Sequence, residues 1–172
     1  MLLSLRSLHG AHDHLDKRYE PSLFPVTEGD AFQVVSPVLL SFDVDGQETG
    51  RFRLAGQLKG DLELACSRCL EPYWLPVATE FDLRYVPRLE AGEGEKEVEE
   101  DDLATALYSD DQIDLGLLIM EQFQLALPMK PLCDPACKGL CPECGTNRNT
   151  GSCDCKREWS DPRLEVLKNF KT

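Results

Sequence analysis

The sequence predicts an α+β fold: an antiparallel β-meander or open barrel with a packed helix, a Cys-rich zinc-ribbon-like insert and a short C-terminal helix. Three observations predict it. Short and alternating apolar runs over residues 31–87 have the period of strands. One run over 109–127 has helical spacing and ends at Pro128. Six of the eight cysteines fall between Cys133 and Cys155. The division that follows is a β-rich body over 1–128 and a Cys-rich segment over 129–172. With 172 residues, 42% of them hydrophobic, the chain can bury an ordinary core without needing its cysteines as staples.

The elements follow in order. Residues 1–30 read as irregular, broken by Pro21 and Pro25. They carry His9, His12 and His14, which suit either a small metal site or, as expected of a terminal segment, a solvated stretch. Phe32, Val34 and Val35, then Val38, Leu40, Phe42 and Val44, give strand-like runs, and Asp45-Gly46 signals a hairpin turn. Arg51 to Leu54 and Asp61 to Leu64 alternate polar with apolar, with Gly60-Asp61 read as a turn between them. Leu75, Val77, Phe81, Leu83 and Tyr85 then mark another strand, so Cys66 and Cys69 fall at a turn between two strands. Residues 90–102 hold eight acidic side chains and one lysine, a self-repelling run read as a loop. In the helix at 109–127, Ser109 with Gln112 offers a capping box and Asp114 a second N-cap. Leu115, Leu118, Ile119 and Gln122 share a face that Phe123, Leu125 and Ala126 continue. The tail Asp161 to Phe170 reads as a short helix with Pro162 in its first turn.

Composition removes several function classes. The net charge of −13 argues against nonspecific binding to nucleic acid or anionic membrane. Residues 130–172 hold eight Lys or Arg against six Asp or Glu, a surplus of two positive charges, which leaves −15 on residues 1–129. No apolar stretch approaches the ~20 residues of a membrane span, and no secretory leader stands out. The expectation is a cytoplasmic protein whose cysteines stay reduced, which makes them metal ligands in preference to disulfides. There is no Gly-rich phosphate loop and no HExxH. No histidine lies near the cysteines to serve a Cys–His nucleophile.

The cysteine spacing suits thiolate coordination. Cys141-Pro142-Glu143-Cys144-Gly145 has the form of a zinc knuckle: Pro sets φ early and Gly supplies the positive φ that ends the turn. Cys153 and Cys155 follow after TNRNTGS, a turn-forming stretch. A Zn2+ site from Cys141, Cys144, Cys153 and Cys155 is the primary assignment. Cys66, Cys69, Cys133 and Cys137 form a possible second site. A competing pairing joins Cys66 and Cys69 to Cys141 and Cys144. Zinc with four cysteines is a closed structural site without an open position for substrate, so a binding module is expected, with no catalytic residues and no small-molecule substrate. One rival is a thiol-disulfide redox protein using Cys66 and Cys69. It lacks the helix N-terminus such a pair needs, because Leu70-Glu71-Pro72 follows. Another is a zinc-handling protein.

Four stretches, CSRCLEPY, IDLGLLIMEQFQLALPMKPLC, CKGLCPECGTNRNTGSCDC and DPRLEVLKNF, resemble the YceD family in order and spacing, over most of the chain from about Ala31. The family is described as large ribosomal RNA subunit accumulation protein, or as a domain of unknown function. The resemblance implies a bacterial or plastid factor, non-enzymatic, in large-subunit ribosomal RNA accumulation or processing and ribosome assembly. Some relatives keep only the CxxC matching Cys66 and Cys69, which implies a role for that pair independent of the later cluster. The implied partner is a ribosomal protein or a large-subunit rRNA precursor. An acidic chain favours a basic ribosomal protein, met by its acidic face and the 90–102 loop. Direct RNA contact would fall to Arg148, Lys156, Arg157, Trp159 and Arg163, with Arg on phosphate and Trp stacked on an unpaired base.

Overall fold

A computed structural model describes residues 1–8, 12–26, 29–46, 50–88 and 105–155. In chain order they form strands β1 (Leu2–Ser4), β2 (His12–Tyr19), β3 (Gln33–Val34), β4 (Val38–Gly46), β5 (Phe52–Ala65), β6 (Pro72–Pro87), β7 (Thr105–Tyr108) and β8 (Gln112–Asp114), then helix α1 (Leu115–Ala126). The main sheet runs β2-β4-β5-β6-β7, with β3 added to the end of β5. Its pairs are antiparallel except β6 with β7, which are parallel. β1 and β8 form a separate antiparallel pair. The sheet is open, with β2 and β7 at its edges. The fold is α+β with mainly antiparallel sheets and one helix among the described residues, as the apolar periodicities predict.

One face of the sheet is the core. Val38, Leu40, Phe42 and Val44 of β4 point into it, alternating with more exposed neighbours. Leu54, Leu58, Leu62 and Leu64 of β5 and Val77, Phe81 and Tyr85 of β6 complete the layer. Helix α1 covers it with Leu115, Leu118, Ile119 and Phe123. The predicted helical face is therefore the buried one, except at Leu125, which is exposed because it sits two residues, about 200°, beyond Phe123.

Three boundaries differ from the sequence reading, each for a physical reason. The helix starts at Leu115 and not at 109. Asp110 and Asp111 take φ of 55° and 54°, and Gln112 N–H donates to the Ser109 carbonyl, so the stretch read as a capping box is a tight turn into β8. Asp114 caps the helix, its carboxylate accepting from Gly116 N–H at 2.8 Å and Leu117 N–H at 3.4 Å. Gly60-Asp61 is not a turn, for β5 runs through it. Gly60 is there for closeness: a Cβ on it would lie 3.0 Å from Phe123 Cζ. The N-terminal stretch is not irregular, since His12 to Tyr19 is strand β2, paired along its length with β4. Its charged side chains hid it, and charge is what a sheet edge carries to discourage pairing with other chains. The acidic run 90–102 and the tail 161–170 lie outside the described residues, as does His9.

Among the described residues, no group that could hold a metal includes His12 or His14; each pairs across to β4. His12 Nδ1 lies 2.6 Å from Asp45 Oδ1, and His14 Nδ1 lies 2.7 Å from Asp43 Oδ1. These carboxylates, by hydrogen bond first and then by charge, raise both imidazole pKa values above the usual 6.5. A raised folded-state pKa gives stability that is fully present below about 6.5 and lost as pH climbs through the raised value. Hence the β2 edge is expected to be tighter at pH 6 than at pH 8. The double variant His12→Asn, His14→Asn is expected to flatten part of the pH dependence of thermal unfolding over that window. An unchanged slope would show that the pairs contribute nothing.

Candidate metal centres

Two chain reversals of the same design present cysteines at this end of the molecule. The first joins β5 to β6. Cys66 N–H donates to the Glu71 carbonyl, and Leu70 N–H returns to the Cys66 carbonyl at 2.9 Å. The second repeats the pattern, with Gly145 N–H on the Cys141 carbonyl at 2.9 Å and Cys141 N–H on the Thr146 carbonyl at 2.8 Å. The residue after the second cysteine has positive φ in both, 62° at Leu70 and 72° at Gly145. Glycine adopts this freely, whereas leucine does so at a cost of about 1–2 kcal/mol. The first knuckle thus lacks the glycine that made the second legible.

The structure draws the eight cysteines into two groups of four. Cys66, Cys69, Cys133 and Cys137 form one; Cys141, Cys144, Cys153 and Cys155 form the other. Within each, the sulfurs all lie within 4.8 Å of one another. Cys66 and Cys137 sulfurs are 3.8 Å apart, and those of Cys69 and Cys133 are 3.7 Å apart. A disulfide needs about 2.05 Å, so these are separate thiols. Four sulfurs about 2.3 Å from one tetrahedral ion stand about 3.8 Å from each other, and these two separations in the Cys66 group fit that edge. Such a donor set suits zinc or iron and leaves no open position. The alternative pairing of Cys66 and Cys69 with Cys141 and Cys144 is not the one the fold makes. The Cys66 group takes two thiols from the β-rich body and two from the segment after residue 128, and it packs against Tyr73 and Leu132.

The electrostatics of the groups are alike: each holds two thiols pulled down and two pushed up. Cys66 is lowered to about 6, chiefly by the Cys133 N–H. Cys137 is lowered by the Asn149 side chain. Cys133 is driven up to about 12 by desolvation and its neighbouring thiols, and Cys69 is raised although the Glu71 N–H opposes it. In the other group Thr146 lowers Cys144 to about 6, and the Cys144 and Glu143 N–H groups lower Cys141. Cys155 rises to about 12 and Cys153 also rises, each chiefly through a thiol of its own group. Four thiolates at this spacing repel, so each group ionises fully only around a cation, which displaces the remaining protons.

Residues the sequence reading did not single out fasten these groups together. Arg68 Nη1 donates to the Cys137 carbonyl at 2.8 Å and the Pro135 carbonyl at 3.3 Å. Ser67 N–H and hydroxyl both reach the Pro131 carbonyl at 2.9 Å. Leu140 N–H donates to the Arg68 carbonyl at 3.0 Å, where a Cβ on Gly139 would come within 2.9 Å of that same oxygen. No pattern marks such contacts in a sequence, because their partners lie some 70 residues apart. Of the residues assigned to RNA or partner contact, Arg148 is exposed beside the second knuckle, and its N–H is spent on the Gly139 carbonyl. Lys156, Arg157, Trp159 and Arg163 lie outside the described residues. No described helix is long and apolar enough to cross a membrane.

Residues 54–171 match the family described as large ribosomal RNA subunit accumulation protein YceD. A maize protein named large ribosomal RNA subunit accumulation protein YCED homolog 1, chloroplastic, is 33% identical over 145 residues, covering 70% of this chain and 49% of the relative. The Arabidopsis thaliana protein of the same name is 28% identical over 158 residues, covering 79% of this chain and 49% of its own. An uncharacterised protein of Mycobacterium tuberculosis is 34% identical over 80 residues, 46% of this chain and 37% of that one. The chain spans about half the length of the plant relatives it matches. No solved structure matches it at a significant level.

Proposed function

The chain belongs to the YceD family, and on that premise we propose that it is a non-enzymatic factor in large-subunit ribosomal RNA accumulation, acting in the cytoplasm as a binding module built around two Zn2+ ions. The observation that carries the metal half is the gathering of eight cysteines into two groups of four, the sulfurs of each within 4.8 Å of one another and two pairs in the Cys66 group at the edge length of a tetrahedral site. The names of the plant relatives supply the ribosomal half. Burial weighs against a thiol-disulfide enzyme, since Cys66 and Cys69 are almost wholly out of solvent and sit in the turn between β5 and β6, where no described helix begins. Zinc fits four thiolates as a closed structural ion.

The partner favoured by charge is a basic ribosomal protein. An ion with four thiolates carries −2, so the ion of the Cys141 group by itself cancels the small positive surplus of residues 130–172. Direct phosphate contact through Arg148 and the basic residues after Cys155 is the second reading. Two measurements test the proposal. Depletion of the protein in its host is expected to lower large-subunit relative to small-subunit ribosomal RNA. Wild type restores the ratio, and a Cys66→Ser, Cys141→Ser double variant does not. An undisturbed ratio on depletion ends the ribosomal reading. Purified protein is then titrated with large-subunit ribosomal proteins and with rRNA precursor at rising salt. Tight binding to the RNA alone, weakening steeply with salt and lost on charge reversal at Arg148 and Arg157, would move the contact from protein to RNA.

A further inference from the structure

We propose that the two four-cysteine groups bind metal as a coupled pair and that Asn149 is the positioning residue that carries the coupling. The inference rests on the metal reading above. Asn149 belongs to the stretch between Cys144 and Cys153, and so to the loop closed by the Cys141 group. Its side chain nevertheless serves the other group. Asn149 Nδ2 lies 3.2 Å from Cys137 Sγ, while its Oδ1 accepts the Lys138 N–H at 2.8 Å. A backbone N–H can only donate, so the amide oxygen must face Lys138 and the NH2 must face the sulfur.

The loop that holds Asn149 is itself laid against the segments that present the Cys66 group. Asn147 bridges to Leu140 as an isolated β-pair, and Arg148 N–H donates to the Gly139 carbonyl. Asn147 Oδ1 accepts the Asn149 N–H at 3.0 Å, and Asn147 Nδ2 reaches Glu71 Oε1 at 3.4 Å, beside the first knuckle. An ion gripped by Cys141, Cys144, Cys153 and Cys155 pins both ends of this loop. The Cys66 group then receives an N–H donor already in place, without the entropic cost of ordering the loop for that contact alone. Linkage makes the effect mutual: an ion in the Cys66 group fixes Cys137 and favours the loop in its closed form.

The test uses the full chain with cobalt(II) as the probe. Cys66→Ser and Cys153→Ser each disable one group and assign the spectra. Asn149→Ala is expected to release the ion of the Cys66 group to a chelator about 10–100-fold more readily, as loss of an outer hydrogen bond to a ligand does. Its sulfur-to-cobalt charge-transfer band moves to lower energy, and the Cys141 group keeps its own spectrum and stoichiometry, which also reports that the segment is folded. Asn149→Asp retains the acceptor for Lys138 but has no donor for sulfur, and is expected to move the same band the same way. Cys153→Ser weakens the Cys66 group in the wild-type background and adds little once Asn149 is alanine. Equal release from the Cys66 group in wild type, Asn149→Ala and Cys153→Ser would overturn the coupling while leaving two metal sites. A wild-type chain that binds neither cobalt nor zinc would overturn the metal reading beneath it.

Discussion

On the proposed two-ion reading, Cys66→Ser is expected to reduce bound zinc from two ions per chain to one and to release the residues after 128 from the sheet, while leaving the main core folded. The loss is large because the binding free energy of a structural zinc is folding free energy, about 10–16 kcal/mol in small zinc domains near neutral pH. Cys66 stands at the end of β5 with its side chain fully buried, where serine would offer a poorer ligand in a site already crowded by sulfur. Cys133 and Cys137 then lose the anchor that holds their loop against the first knuckle, and the Arg68 and Ser67 hydrogen bonds must carry that contact alone. The main core survives because its 22 buried residues form a cluster separate from that of Cys66, Cys69 and Cys137. Native mass spectrometry counts the ions, and limited proteolysis locates the freed segment. Cys141→Ser is the control, with cleavage confined to residues beyond 138. Two ions still bound to Cys66→Ser would dismiss that thiol as a ligand.

The prospect of two cuts in different places says what kind of object this segment is. On the proposed metal reading it is not an independent module tied to a β-domain by a linker, because one of its cysteine groups is shared with the turn between β5 and β6. Cys66 and Cys69 are supplied by the longest strand pair, β5 with β6, so the first group would transmit the rigidity of the sheet to residues 131–141. The second group would then extend that rigidity to the loop holding Asn147, Arg148 and Asn149. A surface assembled this way keeps a fixed shape without a hydrophobic core of its own, which suits the recognition role proposed above.

Much of this was legible in the residues. The apolar periodicity of Val38 to Val44 and of Val77 to Tyr85 located two core strands, because alternation is imposed directly by a sheet with one buried face. The knuckle at Cys141 was legible because Gly145 meets a backbone requirement. Its twin at Cys66 was only half legible, since Leu70 meets the same requirement against its own preference. β2 was missed because pairing with β4 and the His–Asp contacts, both distant in sequence, make it a strand. β7 was missed for a related reason: its parallel pairing with β6 is nonlocal, and the acidic sequence between the two strands carries no structural signal. The division of eight thiols between two groups was equally nonlocal, being decided by how β5 and β6 meet the residues after Leu132.

Gly60 shows the same nonlocality in the core, and its partner gives the second large prediction. Phe123 of α1 is fully buried over β5, its ring 6.1 Å from that of Phe32 at an interplanar angle of 76°, an edge-on contact. Phe123→Ala removes that ring from a layer shared by the helix and β3 to β5, and is expected to cost about 3–5 kcal/mol. Thermal or denaturant unfolding measures it, with zinc stoichiometry unchanged because no cysteine belongs to this layer. Gly60→Ala acts from the opposite side. Its new Cβ would press within 3.0 Å of Phe123 Cζ and lie 3.6 Å from Val38 Cγ2, an overpacking that costs about 1–3 kcal/mol. The two changes are complementary in volume, so the double variant is expected to be more stable than the sum of the single losses predicts, by roughly 0.5–3 kcal/mol of coupling. Strict additivity would mean that Phe123 does not rest on Gly60, and close packing under the helix would no longer account for a glycine in the middle of β5.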